Sequence, residues 1–313
     1  MSEYSLSAEM MFAAARNLQI DRVIAEVYGA LEAASIDVRL LKGPAIASWL
    51  YEEDELRGYG DGDLLVSQAQ WENAVSVLRG LGFEEDIGML NHPNMESFAS
   101  YPWARGADGI DLHATLAGID ADFATAWTVL SDTPEEIEVG GRRVRILSEP
   151  ARALHVALHA THHHEGKPMA DLQRALQRLD LEVWKRAAEL AASLKATAAF
   201  ATGLRLNPDG VSVARRLGVH EARSVQATLK VENVLLSQGI EDLARTPGLM
   251  AKLRVILREL VPTPAFLRWW SPLARRGRWG VLLAYAWRPI WLLWRFPSGF
   301  LAWRKARRES RAH

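Results

Sequence analysis

The sequence predicts an α+β protein: a domain with a mixed β-sheet, then an all-helical domain, then a basic, tryptophan-rich C-terminal helical tail. Three observations support this prediction. Short apolar runs bounded by glycine turns alternate with amphipathic helical patterns up to residue 147, helical patterns alone fill residues 148–260, and bases and tryptophans concentrate in residues 261–313. We therefore expect domain boundaries after residues 147 and 260.

The elements of the first 147 residues follow from hydrophobic spacing and from glycine and proline turns. Apolar residues at helical spacing, with charges between them, predict helices, and short apolar runs next to glycine turns predict strands. Helices are predicted at residues 7–35, 44–51 and 68–81. Strands are predicted at residues 38–43 and 64–66, on both sides of a turn at residues 105–109, and at residues 140–147.

The pattern from residue 148 to about residue 260 is helical only. Ala, Leu, Arg and Glu dominate this stretch, and no fixed-period repeat or low-complexity tract interrupts it. Glycine and proline break the helical runs near residues 166–168, 207–210 and 246–248. This stretch therefore predicts several successive helices.

Composition excludes several classes of protein. Of the 313 residues, 49% are hydrophobic and 24% are charged, which is typical of a globular chain and not of a disordered or fibrous one. The absence of cysteine excludes disulfides, cysteine-ligated zinc, iron–sulfur clusters and a cysteine nucleophile. The first ten residues contain neither a basic nor an apolar signal region, so we expect a cytoplasmic protein that can associate with a membrane.

The net charge of −1 hides a division of charge along the chain. Residues 261–313 hold eleven Lys or Arg and one acid, Glu309, for a net charge of +10, so residues 1–260 carry −11. The same C-terminal residues hold seven of the twelve tryptophans. An acidic body and a basic, aromatic tail suggest that the tail has a partner of its own.

Asp61 and Asp63 form the sharpest chemical feature. Residues two apart on a strand point to the same side, so both carboxylates would project together at the start of the apolar run Leu64-Leu65-Val66. Unpaired, they would repel each other, whereas a divalent cation such as Mg²⁺ prefers such oxygen ligands. Asp111, which also begins an apolar run behind a glycine turn, is the candidate third carboxylate. The alternative is that Asp-Gly-Asp is only a turn.

A series of motifs resembles a bacterial family of uncharacterised nucleotidyltransferases within the DNA polymerase β superfamily. The motifs are LLKGPAIASWLY, RGYGDGDLLV, a helix ending in LRGLGFE, and IDLHATL. The resemblance covers residues 36–118, with a weaker similarity through the helical segment SEPARALHVALHATHHHEGKPMADLQRAL. It implies a small mixed sheet flanked by helices, with nucleotidyl transfer from an NTP and release of pyrophosphate.

The resemblance also implies roles for individual residues. Asp61 and Asp63 would bind the metal ions, Mg²⁺ or Mn²⁺, that hold the triphosphate, and Asp111 would bind the metal that activates the acceptor hydroxyl. Gly43 would let the backbone approach the phosphates, and Lys42 and Arg57 would neutralise phosphate charge. His113 shares the strand face of Asp111, so we expect it either near the site or in a structural role.

Two positions depart from the superfamily pattern. The turn is Lys-Gly-Pro rather than Gly-Ser or Gly-Gly, and Gly62 replaces the usual apolar residue between the two acids. Glycine weakens a strand, so the site could be loose or catalytically degenerate. The alternatives to an active enzyme are therefore a catalytically degenerate nucleotide-binding protein and a membrane-recruited accessory protein.

A group of histidines allows three interpretations. His155, His159 and His163 share one face of a predicted helix at a spacing that can bind zinc, although no H-E-x-x-H motif is present. The group could instead face the active cleft and contact nucleotide or acceptor. The remaining interpretation is a structural role near a helix end.

The C-terminal residues 262–313 also allow three interpretations. Their longest uninterrupted apolar run is too short for a spanning helix, because Arg288-Pro289 follows VLLAYAW. Tryptophan, leucine and arginine together are typical of a helix on an anionic membrane surface. The segment could instead pack on its own domain or a partner protein. Binding of nucleic acid, with arginine on phosphates and tryptophan stacked on nucleobases, is the least favoured interpretation. The net negative charge of residues 1–260 disfavours a long nucleic acid as the acceptor of the nucleotidyl group. We therefore expect a small molecule or a protein as acceptor.

Overall fold

The computed structural model describes residues 3–52, 54–85, 100–162, 165–220, 235–246 and 248–311, with a few single positions between residues 221 and 234. The described residues form two compact units, one within Met1–Glu85 and Ala99–His220 and the other within Glu221–His313. The domain boundaries after residues 147 and 260 stay predictions. The α+β class is confirmed by the elements described below.

The first unit contains helices and strands in mixed order up to residue 146 and helices thereafter. Its elements are α1 (Glu3–Ala33), β1 (Val38–Leu40), α2 (Pro44–Leu50), β2 (Gly62–Val66), a 3₁₀ turn (Gln68–Gln70), α3 (Trp71–Gly80), β3 (Glu84–Glu85), β4 (Ser100–Arg105), β5 (Asp108–His113), α4 (Phe123–Leu130), β6 (Glu135–Val139), β7 (Arg142–Ile146), α5 (Glu149–His162), α6 (Lys167–Arg178), α7 (Leu181–Ser193), α8 (Thr197–Leu204) and α9 (Pro208–Arg216).

The described strands form one mixed sheet in the order β3-β4-β5-β2-β1-β7-β6. The central strand β2 pairs antiparallel with β1 and parallel with β5. In the β2–β5 register Gly62 faces Ile110 and Asp63 faces Asp111. The two acidic strand starts predicted from the sequence therefore lie side by side.

Helix α1 contacts β1, β2, β5, β6 and β7 and supplies much of the core of the first unit. Ile20, Ile24 and Leu31 are fully buried at helical spacing, together with Tyr28. They belong to one apolar cluster with the strand residues Leu64 and Leu112 and with residues of α3. Burial of this apolar surface fixes α1 across the sheet.

Gly62 is a packing requirement of this core. An added Cβ at this position would lie 2.6 Å from Ile24 Cγ1 and 3.0 Å from Ile110 Cδ1. A side chain between the two acids would therefore collide with α1. The close approach of α1 to β2 explains why position 62 is a glycine and not the apolar residue usual in the superfamily.

The predicted elements and the described ones agree in type, and their ends differ by a few residues. The hairpin around residues 105–109 forms between β4 and β5, and α6 and α9 begin where breaks were predicted. Strand β3, helix α4 and strand β6 were not predicted. The reason is clearest for β6. Its sequence EEIEV is largely exposed at a sheet edge, so it lacks the apolar run that marks a strand.

The second unit is helical in its described residues. It contains α10 (Leu235–Arg245), α11 (Leu249–Leu260), α12 (Pro264–Trp270), a 3₁₀ turn (Ala274–Arg276) and α13 (Arg278–Arg311). A small apolar cluster joins Leu267, Ala274, Val281 and Ala284. The helical tail predicted from the sequence is thus formed mainly by α13. No helix among the described residues is long and apolar enough to cross a membrane.

Candidate active site

The aspartates of β2 and β5 form the centre of the candidate site. Asp63 and Asp111 are directly paired on adjacent parallel strands, and Asp61 immediately precedes β2. Asp63 is 3% exposed, whereas Asp61 is solvent-exposed. Sheet pairing therefore brings two of the predicted metal ligands together and leaves Asp61 at the solvent edge.

Asp63 contacts a lysine ammonium group and a histidine ring. Lys42 Nζ lies 2.5 Å from Asp63 Oδ1, and His113 Nε2 donates a hydrogen bond to the same oxygen at 3.0 Å. Burial opposes ionisation of Asp63, but Lys42 and His113 outweigh it and hold the pKa of this carboxyl below its ordinary value. Asp63 is therefore an ionised carboxylate inside the protein.

Asp111 has the opposite electrostatic setting. Burial, and then the negative charge of Asp63, raises the pKa of Asp111 to about 6. Neighbouring protein atoms displace part of the water around the Asp61 carboxyl group. This desolvation, and then the negative charge of Asp63, raises the pKa of Asp61 as well. Three carboxyl groups thus share a region in which further positive charge is favourable.

The site includes donors suited to a divalent cation. Among the described residues, Asp63, Asp111 and His113 offer one ligand atom each within 4.8 Å of one another. The Nδ1 atom of His113 is buried and has no hydrogen-bond partner among the residues that the structure describes. Two carboxylates and an imidazole fit a small divalent cation such as Mg²⁺ or Mn²⁺. Asp61 is not one of these three, so its predicted role as a ligand stays a prediction.

Lys42 and Gly43 form the turn between β1 and α2. Gly43 has a φ of 59°, in the left-handed region that favours glycine, and an added Cβ would lie 3.5 Å from the Tyr59 ring. Burial opposes the charge of Lys42, but Asp63 outweighs it and raises the pKa of Lys42 above its ordinary value. The turn thus delivers an ammonium group to the aspartates, and the phosphate contacts predicted for both residues stay predictions.

Arg57 has a partner that the sequence analysis does not name. Its Nε and Nη2 donate to the two carboxylate oxygens of Asp171 on α6 at 2.9 and 2.7 Å. Tyr51 donates to the same carboxylate at 2.8 Å. Because Arg57 and Asp171 are both buried, this bidentate pair ties the segment before β2 to helix α6. The phosphate contact predicted for Arg57 stays a prediction.

The histidines of α5 are only partly described. His155 is 5% exposed, and within the described part of the chain its Nδ1 has no hydrogen-bond partner. Burial, then the charges of Lys42 and His113, lowers the pKa of His155 to about 3. The ring of His159 lies 5.9 Å from that of His155, centre to centre, whereas His163 and His164 lie outside the described residues. His155 is therefore a neutral imidazole close to the charged site.

Sequence reasoning missed two features of this site. The MADL segment belongs to the similarity described above, but nothing in the sequence pairs its Asp171 with Arg57, 114 residues earlier. Lys167, at the start of α6, acts electrostatically on Asp61 and was not singled out. Both features come from α6, whose position relative to the sheet is not encoded in local spacing.

Two aspartates on adjacent parallel strands of a mixed sheet, with a Lys-Gly turn beside them, are the arrangement expected of a nucleotidyltransferase domain. A family model described as "Uncharacterised nucleotidyltransferase" matches residues 3–208. The chain belongs to this family. No curated protein is significantly similar to it.

Several solved structures resemble part of the chain. A solution structure of the antibiotic-resistance factor ANT(2'')-Ia is 17% identical over 56% of this chain and 90% of that chain, with a TM-score of 0.41. A crystal structure of ANT(2'')-Ia in complex with adenylyl-2''-tobramycin is 17% identical over 55% and 97%, with a TM-score of 0.39. An antigenic nucleotidyltransferase-like protein from Paracoccidioides brasiliensis is 15% identical over 59% and 94%, with a TM-score of 0.35. Membership of the family rests on the family model and not on these scores.

Proposed function

We propose that this protein transfers a nucleoside monophosphate group from an NTP to a hydroxyl group of a small molecule or a protein, with release of pyrophosphate. The observation that carries the proposal is the pairing of Asp63 with Asp111 on adjacent strands, with Asp61 just before them. Membership of a nucleotidyltransferase family supports the reaction class. The cation is proposed to be Mg²⁺ or Mn²⁺.

The residues have separate proposed roles. Asp63 and Asp111, with His113, would hold a divalent cation, and Asp61 at the exposed edge would extend the site toward the triphosphate. When bound, such a cation would offset negative charge on the phosphates and on the attacking and leaving oxygens. Lys42 and Gly43 would face the phosphates, and Arg57 would position the segment before β2 through Asp171.

Asp111 gives the sharpest test of this proposal. It sits close to Asp63 with its own ionisation disfavoured, so Asp111→Asn relieves repulsion and should preserve or raise thermal stability without ligand. The same change should abolish Mn²⁺-dependent stabilisation by NTP, which in the wild type should reach about 2.7 kcal/mol at a hundredfold excess over Kd. Melting temperatures with each of the four NTPs, with and without Mn²⁺, measure both effects.

The control is Asp132→Asn, an exposed aspartate between α4 and β6. It should leave the response to NTP and Mn²⁺ unchanged. Pyrophosphate release is then measured with the NTP that binds and a panel of hydroxyl acceptors. Equal NTP stabilisation in wild type and Asp111→Asn would contradict the proposed site, whereas NTP binding without pyrophosphate release from any acceptor would favour the degenerate binding protein.

Location and further partners belong to the same proposal. A chain without cysteine is compatible with a reducing compartment, and the cytoplasm stays the proposed location. We also propose that residues 262–313 attach the enzyme to a membrane surface or a partner protein, because its bases and tryptophans concentrate there.

A further inference from the structure

Helix α13 presents many of its large apolar residues to solvent. Trp279 is 80% exposed, Leu293 is 76% exposed, Trp294 is 71% exposed and Leu301 is 64% exposed. Further exposed apolar side chains on the same helix are Leu282, Leu283, Trp287, Ile290 and Phe296. Many of these positions recur three or four residues apart, so they form a stripe along one side of the helix. From Trp279 to Leu301 this stripe spans about 33 Å.

The inner side of α13 carries the polar contacts. Arg288 is 3% exposed, and its guanidinium donates to the backbone oxygen and the carboxylate of Glu259. Trp303 and Arg307 both donate to the carboxylate of Glu241. Val281 and Ala284 also pack inward in an apolar cluster, so α13 has apolar side chains on its inner and its outer sides. A helix on the surface of a water-exposed protein normally keeps its outer side polar. The outward stripe therefore favours a non-aqueous environment.

Positive charge lies at both ends of the stripe. Arg275, Arg276 and Arg278 precede it, and Arg304, Lys305 and Arg308 follow it, all of them exposed. The one acid in residues 261–313 is Glu309. A surface of anionic headgroups above hydrocarbon matches this distribution, because tryptophan favours the headgroup level and arginine and lysine are attracted to anionic lipid.

The structure favours a helix that lies along the surface. No helix of the described residues has the length and hydropathy to cross a bilayer, and Arg288 and Arg295 interrupt the apolar residues of α13. A second copy of the chain is a poorer occupant, because the basic ends of two such stripes would repel each other. Nucleic acid is also a poorer partner for the stripe. Contacts with phosphates would need lysine or arginine side chains along the middle of the stripe, and the middle is apolar.

We propose that the exposed stripe of α13 docks on an anionic membrane surface, with the helix lying in the interface. This inference names the partner of the C-terminal segment in the proposed function, but it does not depend on nucleotidyl transfer. Binding to vesicles is measured without NTP or divalent cation, so failure of docking and failure of catalysis are separate results.

The experiment is co-sedimentation of the full chain with vesicles of phosphatidylcholine alone or with phosphatidylglycerol added. The wild type should bind the anionic vesicles and bind neutral ones weakly. Binding should fall as salt rises from about 0.1 M to about 1 M, over which the Debye length shrinks from about 10 to about 3 Å. The double variants Leu293→Glu/Trp294→Glu and Arg304→Gln/Arg308→Gln should each lower partitioning about tenfold or more.

Matched controls change exposed apolar and exposed basic side chains on the first unit. Met11→Glu/Phe12→Glu alters two side chains of α1 that are 70% and 75% exposed, and Arg215→Gln/Arg216→Gln removes two exposed bases of α9. Both controls should bind vesicles as the wild type does. Equal loss in the controls and the α13 variants, or absence of vesicle binding by the wild type, would overturn the proposal. Sedimentation velocity showing a dimer that the α13 variants dissociate, without vesicle binding, would assign the stripe to a second copy.

Discussion

Lys42 sets the charge balance of the aspartate cluster. Its ammonium group lies against Asp63 and acts electrostatically on Asp61 and Asp111 as well. A bound divalent cation would share the same carboxylates, so Lys42 and the cation partly substitute for each other. Because Lys42 already offsets part of the negative charge of the carboxylates, it lowers the gain in stability that a bound cation would give.

Replacing Lys42 by Met tests this substitution of charge. Loss of the ammonium leaves Asp63 buried without its cationic partner and should lower the free energy of unfolding by about 3 kcal/mol. Mn²⁺ should then stabilise Lys42→Met more than it stabilises the wild type, as measured by thermal unfolding. Lys185→Met, at an exposed pair with Glu182, is the control and should change neither quantity. A smaller Mn²⁺ effect in Lys42→Met would contradict this account.

Gly62 is a second position where one atom decides the packing. Gly62→Ala places a Cβ against Ile24 and should cost about 1–3 kcal/mol through overpacking. In the Ile24→Ala background the same change should cost clearly less, because the colliding atom is gone. Urea unfolding of the four proteins measures this coupling, and additive effects would show that α1 does not approach β2 at this point.

Helix α6 stabilises the segment before β2 through a buried ion pair. Asp171→Asn leaves the Arg57 guanidinium buried without its carboxylate and should lower the free energy of unfolding by about 3–5 kcal/mol. Glu85→Gln breaks the exposed pair between Arg79 and Glu85 and should cost less than about 1 kcal/mol. Denaturant unfolding compares them, and similar small costs would mean that α6 does not hold this segment.

Helix α5 introduces a pH dependence through His155. The pKa of this imidazole is about 3 in the folded chain against an ordinary 6.5, so between these values the unfolded chain binds a proton that the folded chain does not. Stability should therefore fall as pH drops from about 6.5, by about 1.4 kcal/mol for each pH unit within the window. His155→Leu should remove this part of the slope in urea titrations at several pH values, and an unchanged slope would refute the assignment.

The two proposals assign nucleotidyl transfer and membrane attachment to different parts of the chain. The candidate active site lies entirely in the first unit, and the exposed apolar stripe lies entirely in the second. The charges divide in nearly the same way, with −11 in residues 1–260 and +10 in residues 261–313. An anionic membrane would repel the net negative charge of residues 1–260, and the proposed attachment through the basic C-terminal residues would offset that repulsion.

Much of the candidate site could be predicted because its residues lie on adjacent elements. Asp61 and Asp63 flank the first residue of β2, and Asp111 lies within β5 beside apolar residues, so the patterns that mark them are local and visible in sequence. The partner of Arg57 could not be predicted in this way, because Asp171 lies 114 residues later on a helix. Strand β6 was missed for a related reason, since an exposed edge strand has little apolar pattern.

Local spacing in the sequence determines the type and order of most elements, the acidic residues of β2 and β5, and the concentration of basic residues and tryptophans at the C-terminus. These properties depend on neighbours a few residues apart. The association of elements decides the rest: Lys42 and His113 on Asp63, Asp171 on Arg57, Ile24 against Gly62, and the outward stripe of α13. Such contacts join residues far apart in the chain, and only the packing of whole helices and strands brings them within bonding distance.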